Sequence, residues 1–197
     1  MTEQSRIAGT RRELSFEREP ARRVFSAELR EIKVQFKLGE DEKSPSYVLL
    51  PTGERCNRIF IVGTLTEKKR QGEQNMFYRA RVVDPTGTFF VMASSYQQEA
   101  MQQMARIEPP AFVAVVGKPS MYNAPDGAIL ISVRAESVTV VSKEMRDIWV
   151  LDTAKATLDR VDALGKSEDS LWAEKEYHPD PATYLKMAYD ALAQLNI

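Results

Sequence analysis

Arg79 and Arg81 alternate with Tyr78, Ala80 and Val82, and beyond a short turn Phe90 and Met92 alternate with Phe89, Val91 and Ala93. If the apolar set of each run points into a core, the two arginines, the ring and the thioether share one outer face. Guanidinium groups hold phosphates or stack on bases, and a ring takes a base on its face. The chemistry on offer is therefore non-covalent capture of a single-stranded polyanion. Lys68, Lys69 and Arg70 fall in a polar stretch after one apolar run, and Lys118, Met121, Tyr122 and Asn123 follow another. Read as loops, these two groups would flank the same face. A plainer alternative stays open, in which Phe90 is covered by the N-terminal segment and the arginines are ordinary surface charges.

The elements that must position these residues can be read from the same stretch. Arg58–Thr66 is β-branched and apolar, with Gly63 where a barrel strand bends sharply. Met76–Val83 and Thr88–Ala93 have period two and are joined by Asp84, Pro85, Thr86 and Gly87, a turn sequence, so they form a hairpin. Ser95 and Gln98 have the spacing of a helix cap, and Tyr96–Ile107 reads as a short amphipathic helix that Pro109 and Pro110 close. Ala111–Lys118 and Ala128–Val141, with Asp126 and Gly127 between them, form a second hairpin. Five strands with one helix between the third and fourth is the element order of an OB-fold. That fold is a five-stranded Greek-key barrel whose outer face and loops bind oligonucleotides.

The chain has 197 residues, 43% of them hydrophobic, enough for one such domain with appendages. Its net charge of −1 conceals a gradient: residues 58–142 carry nine Lys and Arg against seven Asp and Glu, and residues 143–197 carry seven against eleven. One cysteine, Cys56, and one histidine, His178, exclude an internal disulfide and a zinc cluster, so no metal or other cofactor is expected. There is no Walker-type phosphate loop and no Gly-x-Ser-x-Gly elbow, and His178 sits in a polar linker, so the chain is not expected to be an enzyme. No apolar run approaches the roughly 20 residues that span a bilayer, and the start lacks a signal peptide's apolar stretch. A soluble, cytoplasmic protein without membrane contact is the expectation.

The flanks divide the chain further. Residues 1–23 hold six arginines and four glutamates and read as a mobile arm, either touching phosphates or solvated through its own mixed charge. Residues 24–57 read as extended pieces laid on the barrel at 58–142. Ser142 can cap a helix over 143–165, along which Met145, Ile148, Leu151, Leu158, Val161 and Leu164 recur at close to helical spacing. That helix could fold back onto the barrel or pack against another subunit, including a second copy when the chain is isolated. Residues 166–197 read as a linker followed by a terminal helix that Asp180 and Pro181 begin.

Over residues 20 to 142 the chain resembles the archaeal family of proteins associated with replication protein A. The resemblance rests on Arg22-Arg-Val-Phe25, on Tyr47-Val-Leu-Leu-Pro-Thr-Gly-Glu-Arg55 and on Asn57-Arg-Ile-Phe-Ile-Val-Gly-Thr-Leu-Thr66. Arg81-Val-Val-Asp-Pro-Thr-Gly-Thr-Phe-Phe-Val91 and Glu108-Pro-Pro-Ala-Phe-Val-Ala-Val-Val-Gly-Lys-Pro119 complete it. It implies a small OB-fold subunit that accompanies a larger replication protein A subunit on single-stranded DNA in replication, repair and recombination. It also implies that the helix after the barrel is the assembly element; the contact residues expected on it, Met145, Ile148, Leu151, Leu158 and Val161, rest on their spacing. The binding set, Lys68, Lys69, Arg70, Arg79, Arg81, Phe90, Met92, Lys118 and Tyr122, rests on spacing and not on the resemblance. A near-neutral chain equally suits an OB-fold scaffold that assembles partners and has no nucleic-acid affinity of its own.

Overall fold

The computed structural model describes residues 19–39 and 44–195. Most of the arginine-rich arm, residues 1–18, together with residues 40–43 and 196–197, therefore lies outside the described residues. The chain enters through α1 (Ser26–Arg30) and a three-stranded antiparallel sheet of β1 (Val34–Lys37), β2 (Ser46–Leu49) and β3 (Arg55–Cys56). It continues through β4 (Ile59–Gln71), β5 (Phe77–Asp84), β6 (Gly87–Ser94), α2 (Gln98–Arg106), β7 (Ala111–Asn123) and β8 (Ile129–Val140), and ends in α3 (Lys143–Asp162), α4 (Glu168–Tyr177) and α5 (Pro181–Leu192).

Strands β4 to β8 close a barrel in the spatial order β4, β5, β6, β8, β7, antiparallel except where β6 meets β8. With α2 between β6 and β7, this is the OB-fold expected from the sequence. Alternation drives the closure: Ala80, Val82, Phe89, Val91, Val113, Val115, Val133 and Ala135 are all buried. Gly63 lies where a Cβ would meet the carbonyl oxygen of Val83 at 2.5 Å, so the close approach of β4 to β5 needs glycine there. Asp84 fastens the β5–β6 turn, accepting from the backbone of Thr86 and Gly87 at 2.8 Å each, and it also accepts from the amide and hydroxyl of Ser26 at 2.8 Å. The same carboxylate thus locks a turn and holds the start of α1 against it.

Several local expectations change. Strand β4 does not stop at Thr66; its ladder with β5 shifts register between Leu65 and Glu67 and then runs on through Lys68, Lys69 and Arg70 to Gln71. Likewise β7 pairs with β8 as far as Asn123, so Lys118, Met121 and Tyr122 are strand residues. Polar side chains marked both stretches as loops, but a strand arm standing in solvent can be polar on both faces. Ser95 does not cap α2: Ser94 still pairs with Phe77, a turn follows, and the helix begins only after Gln97. The region 24–57 folds as α1 and the small sheet, beyond plain extended pieces. Residues 166–180 hold α4, started by a capping box of Ser167 and Ser170, where a linker was expected. Ser142 and Asp180 do cap α3 and α5. Among the described residues no helix is long and apolar enough to cross a membrane.

Buried polar groups hold the C-terminal helices to the N-terminal segment. Glu28 of α1 and Arg160 of α3 are both buried and meet at 2.7 Å, while Arg160 Nε donates to Thr52 at 2.8 Å and Thr52 in turn donates to Glu28. Arg160 also reaches the carbonyl oxygen of Arg23 at 3.2 Å. The Tyr177 hydroxyl of α4 accepts from the amides of Lys33 and Val34 and donates to the carbonyl of Leu49 at 2.7 Å, and Trp149 donates from its indole to the Phe60 carbonyl at 2.9 Å. Cys56 lies beneath this layer, where burial pushes its thiol well above the usual range.

Removing one partner of a buried ion pair leaves the other charge uncompensated. Arg160→Ala should therefore lower unfolding stability by about 3–5 kcal/mol in urea titrations followed by tryptophan fluorescence, and Glu28→Leu with Arg160→Met should restore most of it. Equal midpoints for Arg160→Ala and wild type would contradict this account. Cys56 should resist a thiol-reactive probe in native protein and react on unfolding; prompt native labelling would place it outside the packed layer.

Candidate nucleic-acid interface

The central hairpin presents the face that alternation predicted. Phe90 stands opposite Arg81 and Met92 opposite Arg79 in the β5–β6 ladder. Both guanidinium groups lie over the Phe90 ring, Arg79 at 5.3 Å and Arg81 at 5.7 Å from its centroid. Exposed pairs of this kind contribute about 0.5–1 kcal/mol each, enough to hold two cations beside the ring. Phe90 is only half-buried, and no other segment of the described chain makes a ring or cation contact with it. Within the described part of the N-terminal segment the aromatic residues pack elsewhere, Phe36 against Tyr47 and against Trp172 of α4; residues 1–18 lie outside the described residues.

Registers carry the outer side of the sheet from strand to strand around the barrel. Lys69 pairs with Arg79, Arg79 with Met92, Met92 with Arg134, and Arg134 with Lys118. These five residues form one row over strands β4, β5, β6, β8 and β7, about 19 Å along the sheet at the usual strand spacing of roughly 4.8 Å. Four of the five are cations, and among the described residues Arg79, Lys118 and Arg134 have no ion-pair partner. Further along the β7–β8 arm and on the same side, Tyr122 pairs with Leu130, each more than half exposed. Their strand neighbours Met121 and Ile131 turn toward the core. A row of cations, three of them without an ion-pair partner, beside the half-buried ring of Phe90 and the exposed ring of Tyr122 suits a flexible polyanion with flat bases.

Not every expected residue joins this face. Because β4 continues past Thr66, period two sends Lys69 to the outer face and Lys68 and Arg70 to the opposite one, toward α2. Lys68 Nζ donates to the carbonyl oxygens of Met104 at 3.3 Å and Ala105 at 2.9 Å and meets Glu108 at 3.3 Å, so it caps the C-terminus of α2. Arg70 donates to the Met76 sulfur at 3.0 Å and lines a cleft with Tyr78, Gln98 and Met101. Arg134 is the residue that sequence reading missed. Its signal was present, since Val133 and Ala135 on either side are core residues, which turns Arg134 outward.

The helix expected to assemble with partners is divided. Met145, Ile148 and Leu151 are 48%, 54% and 53% exposed, and Val140 just upstream is 57% exposed, which makes one apolar patch. Val161 is buried and Leu158 packs half-buried against the core, so the fold itself occupies these two. Steps of three residues turn a helix by about 300°, so the expected stripe winds around the axis from solvent to core. The face that packs inward is Trp149, Val150, Thr153, Ala154, Thr157, Arg160 and Val161. Thr153 and Thr157 are buried by donating to the carbonyls of Trp149 and Thr153 one turn back, at 2.6 and 2.9 Å.

Among the described residues no cluster of His, Cys, Asp and Glu could hold a metal ion, and His178 is an exposed cap of α4 in left-handed conformation. No protein-family model and no curated protein matches this sequence. Solved structures do share its chain path. One chain of the crystal structure of the S. pombe Stn1-Ten1 complex is 15% identical, with 81% of this chain and 100% of that one covered and a TM-score of 0.49. In the structure of yeast Stn1 and Ten1 the values are 11% identity, 62% of each chain and 0.43. The second single-stranded DNA-binding protein of Mycobacterium smegmatis is 18% identical over 44% of this chain and 87% of its own, with a TM-score of 0.37. These are similarities of chain path alone.

Proposed function

We propose that this chain is a non-catalytic OB-fold subunit that binds single-stranded DNA on the outer face of its barrel and assembles with larger subunits of a replication protein A-like complex through α3. The observation that carries the reading is the cluster of Arg79 and Arg81 over Phe90, set in the row from Lys69 to Lys118. Binding of this kind needs no bond to be made or broken. Lys69, Arg79, Arg81, Arg134 and Lys118 neutralise phosphates, and the cations that had condensed on the strand are released and drive association. Bases then stack on Phe90 and Tyr122, each contact being worth about 1–3 kcal/mol. Duplex DNA keeps its bases stacked on one another and gains only the phosphate contacts, so the rings confer the preference for single strands. The roles in replication, repair and recombination follow from the sequence resemblance.

A second surface supports the assembly half of the proposal. Val140 at the end of β8 and Met145, Ile148 and Leu151 on the first half of α3 are exposed apolar side chains outside the core cluster. Were the barrel a scaffold without DNA affinity, this patch would be its working surface.

Two experiments separate the readings. Replacing Arg79, Arg81 and Arg134 by Ala should weaken binding to an oligothymidine of about 30 nucleotides at least tenfold and flatten the dependence of log K on log salt by about 2, since three phosphate partners are lost. Phe90→Ala should cost about 1–3 kcal/mol with no change in that slope. Affinity unchanged in these variants would exclude the face. Ile148→Glu with Leu151→Glu should separate the chain from a larger partner subunit on gel filtration, and a complex that survives would exclude the patch.

A further inference from the structure

Glu67 is an acid set among the cations of the binding face. It stands opposite Arg81 in the β4–β5 ladder, with its carboxylate 2.6 Å from Lys69 Nζ and 3.7 Å from Arg81 Nε. Together with Gln71, Arg79 and Ala80, these three residues line a recess of about 160 Å³. The hydrogen bond from Lys69, reinforced by the charges of Lys69, Arg81 and Arg79, holds the Glu67 carboxyl below the usual carboxylate range. A negative charge is therefore resident in the recess at neutral pH. It occupies two of the donors that an incoming phosphate would use.

We propose that Glu67 is an internal competitor for phosphate, which holds Lys69 and Arg81 in the unliganded protein and lowers the affinity of the face for a nucleic-acid strand. The inference rests on the DNA-binding reading above. Two anions cannot share the same pair of cations without repulsion, so a phosphate reaching Lys69 and Arg81 must turn the carboxylate aside. That movement is easy, because Glu67 and Lys69 are 39% and 68% exposed at the side chain and ion pairs in solvent are weak. The result is a face that keeps its cations positioned and yet releases its ligand readily. The same acid spares the protein indiscriminate binding of polyanions.

The test is the conservative variant Glu67→Gln, which keeps the shape and removes the charge, titrated with fluorescent oligothymidine of about 30 nucleotides over a range of salt. Binding should tighten about threefold to fivefold at low salt, and the salt dependence should steepen by about 0.7, the increment for one more phosphate on a single strand. Glu108→Gln is the control, because it removes the same charge beside Lys68 on the α2 side, where no effect is expected. Glu67→Gln binding no more tightly than wild type, with melting temperature unchanged, overturns the competitor role while leaving the DNA-binding reading intact. Equal tightening by Glu108→Gln also overturns it, by tracing the gain to net charge alone. Absence of binding by the wild-type chain and both variants overturns the underlying reading, and the competitor role with it.

Discussion

Glu28 and Arg160 have left water together, and much of the molecule's arrangement follows from where they meet. A lone charge at either position would be strongly destabilising, so α1 and α3 must approach each other in the one register that pairs them. Thr52 completes the contact and brings the turn between β2 and β3 to the same point. The ion pair, with the Trp149 hydrogen bond to the Phe60 carbonyl, fits the rotation of α3 that turns Trp149 and Ala154 inward and Met145, Ile148 and Leu151 outward. Which apolar residues remain for a partner is thus linked to a charge buried elsewhere on the same helix.

At the other side of the molecule the barrel works as a rigid frame. Closure fixes the side of every strand on which a residue lies, so Lys69, Arg79, Arg134 and Lys118, far apart in the chain, fall into one row. This resolves the tension between a chain of net charge −1 and a surface suited to a polyanion. Cations are concentrated on one face, whereas the acidic excess lies in the C-terminal helices. Net charge describes the field at a distance, and the face is felt within a Debye length of about 8–10 Å. Glu67 then moderates a surface that would otherwise hold its ligand through every cation at once.

The parts legible in the sequence were those with strict period two. Ala80, Val82, Phe89 and Val91 alternate so regularly that the face of Arg79, Arg81 and Phe90 could be named, and the caps at Ser142 and Asp180 could be read from residue type. Strand ends were not legible. Lys68, Lys69 and Arg70 look like a loop because three consecutive cations suit solvent, yet the ladder with β5 carries them as strand and splits them between two faces. On α3 the inward face includes Thr153, Thr157 and Arg160, and their burial depends on hydrogen bonds to groups remote in sequence or one turn back. Hydrophobic spacing alone cannot register such positions. The row through Arg134 needed the parallel pairing of β6 with β8, a long-range contact that no local pattern encodes.

Amide chemical-shift mapping during titration with oligothymidine shows directly whether the outer face of the barrel holds single-stranded DNA. Perturbations are expected to concentrate around Lys69, Arg79, Arg81, Phe90, Met92, Arg134 and Tyr122, while α2 on the opposite side stays unmoved. Perturbations confined to the α2 side or to the helices, or none at saturating oligonucleotide, would contradict binding on that face.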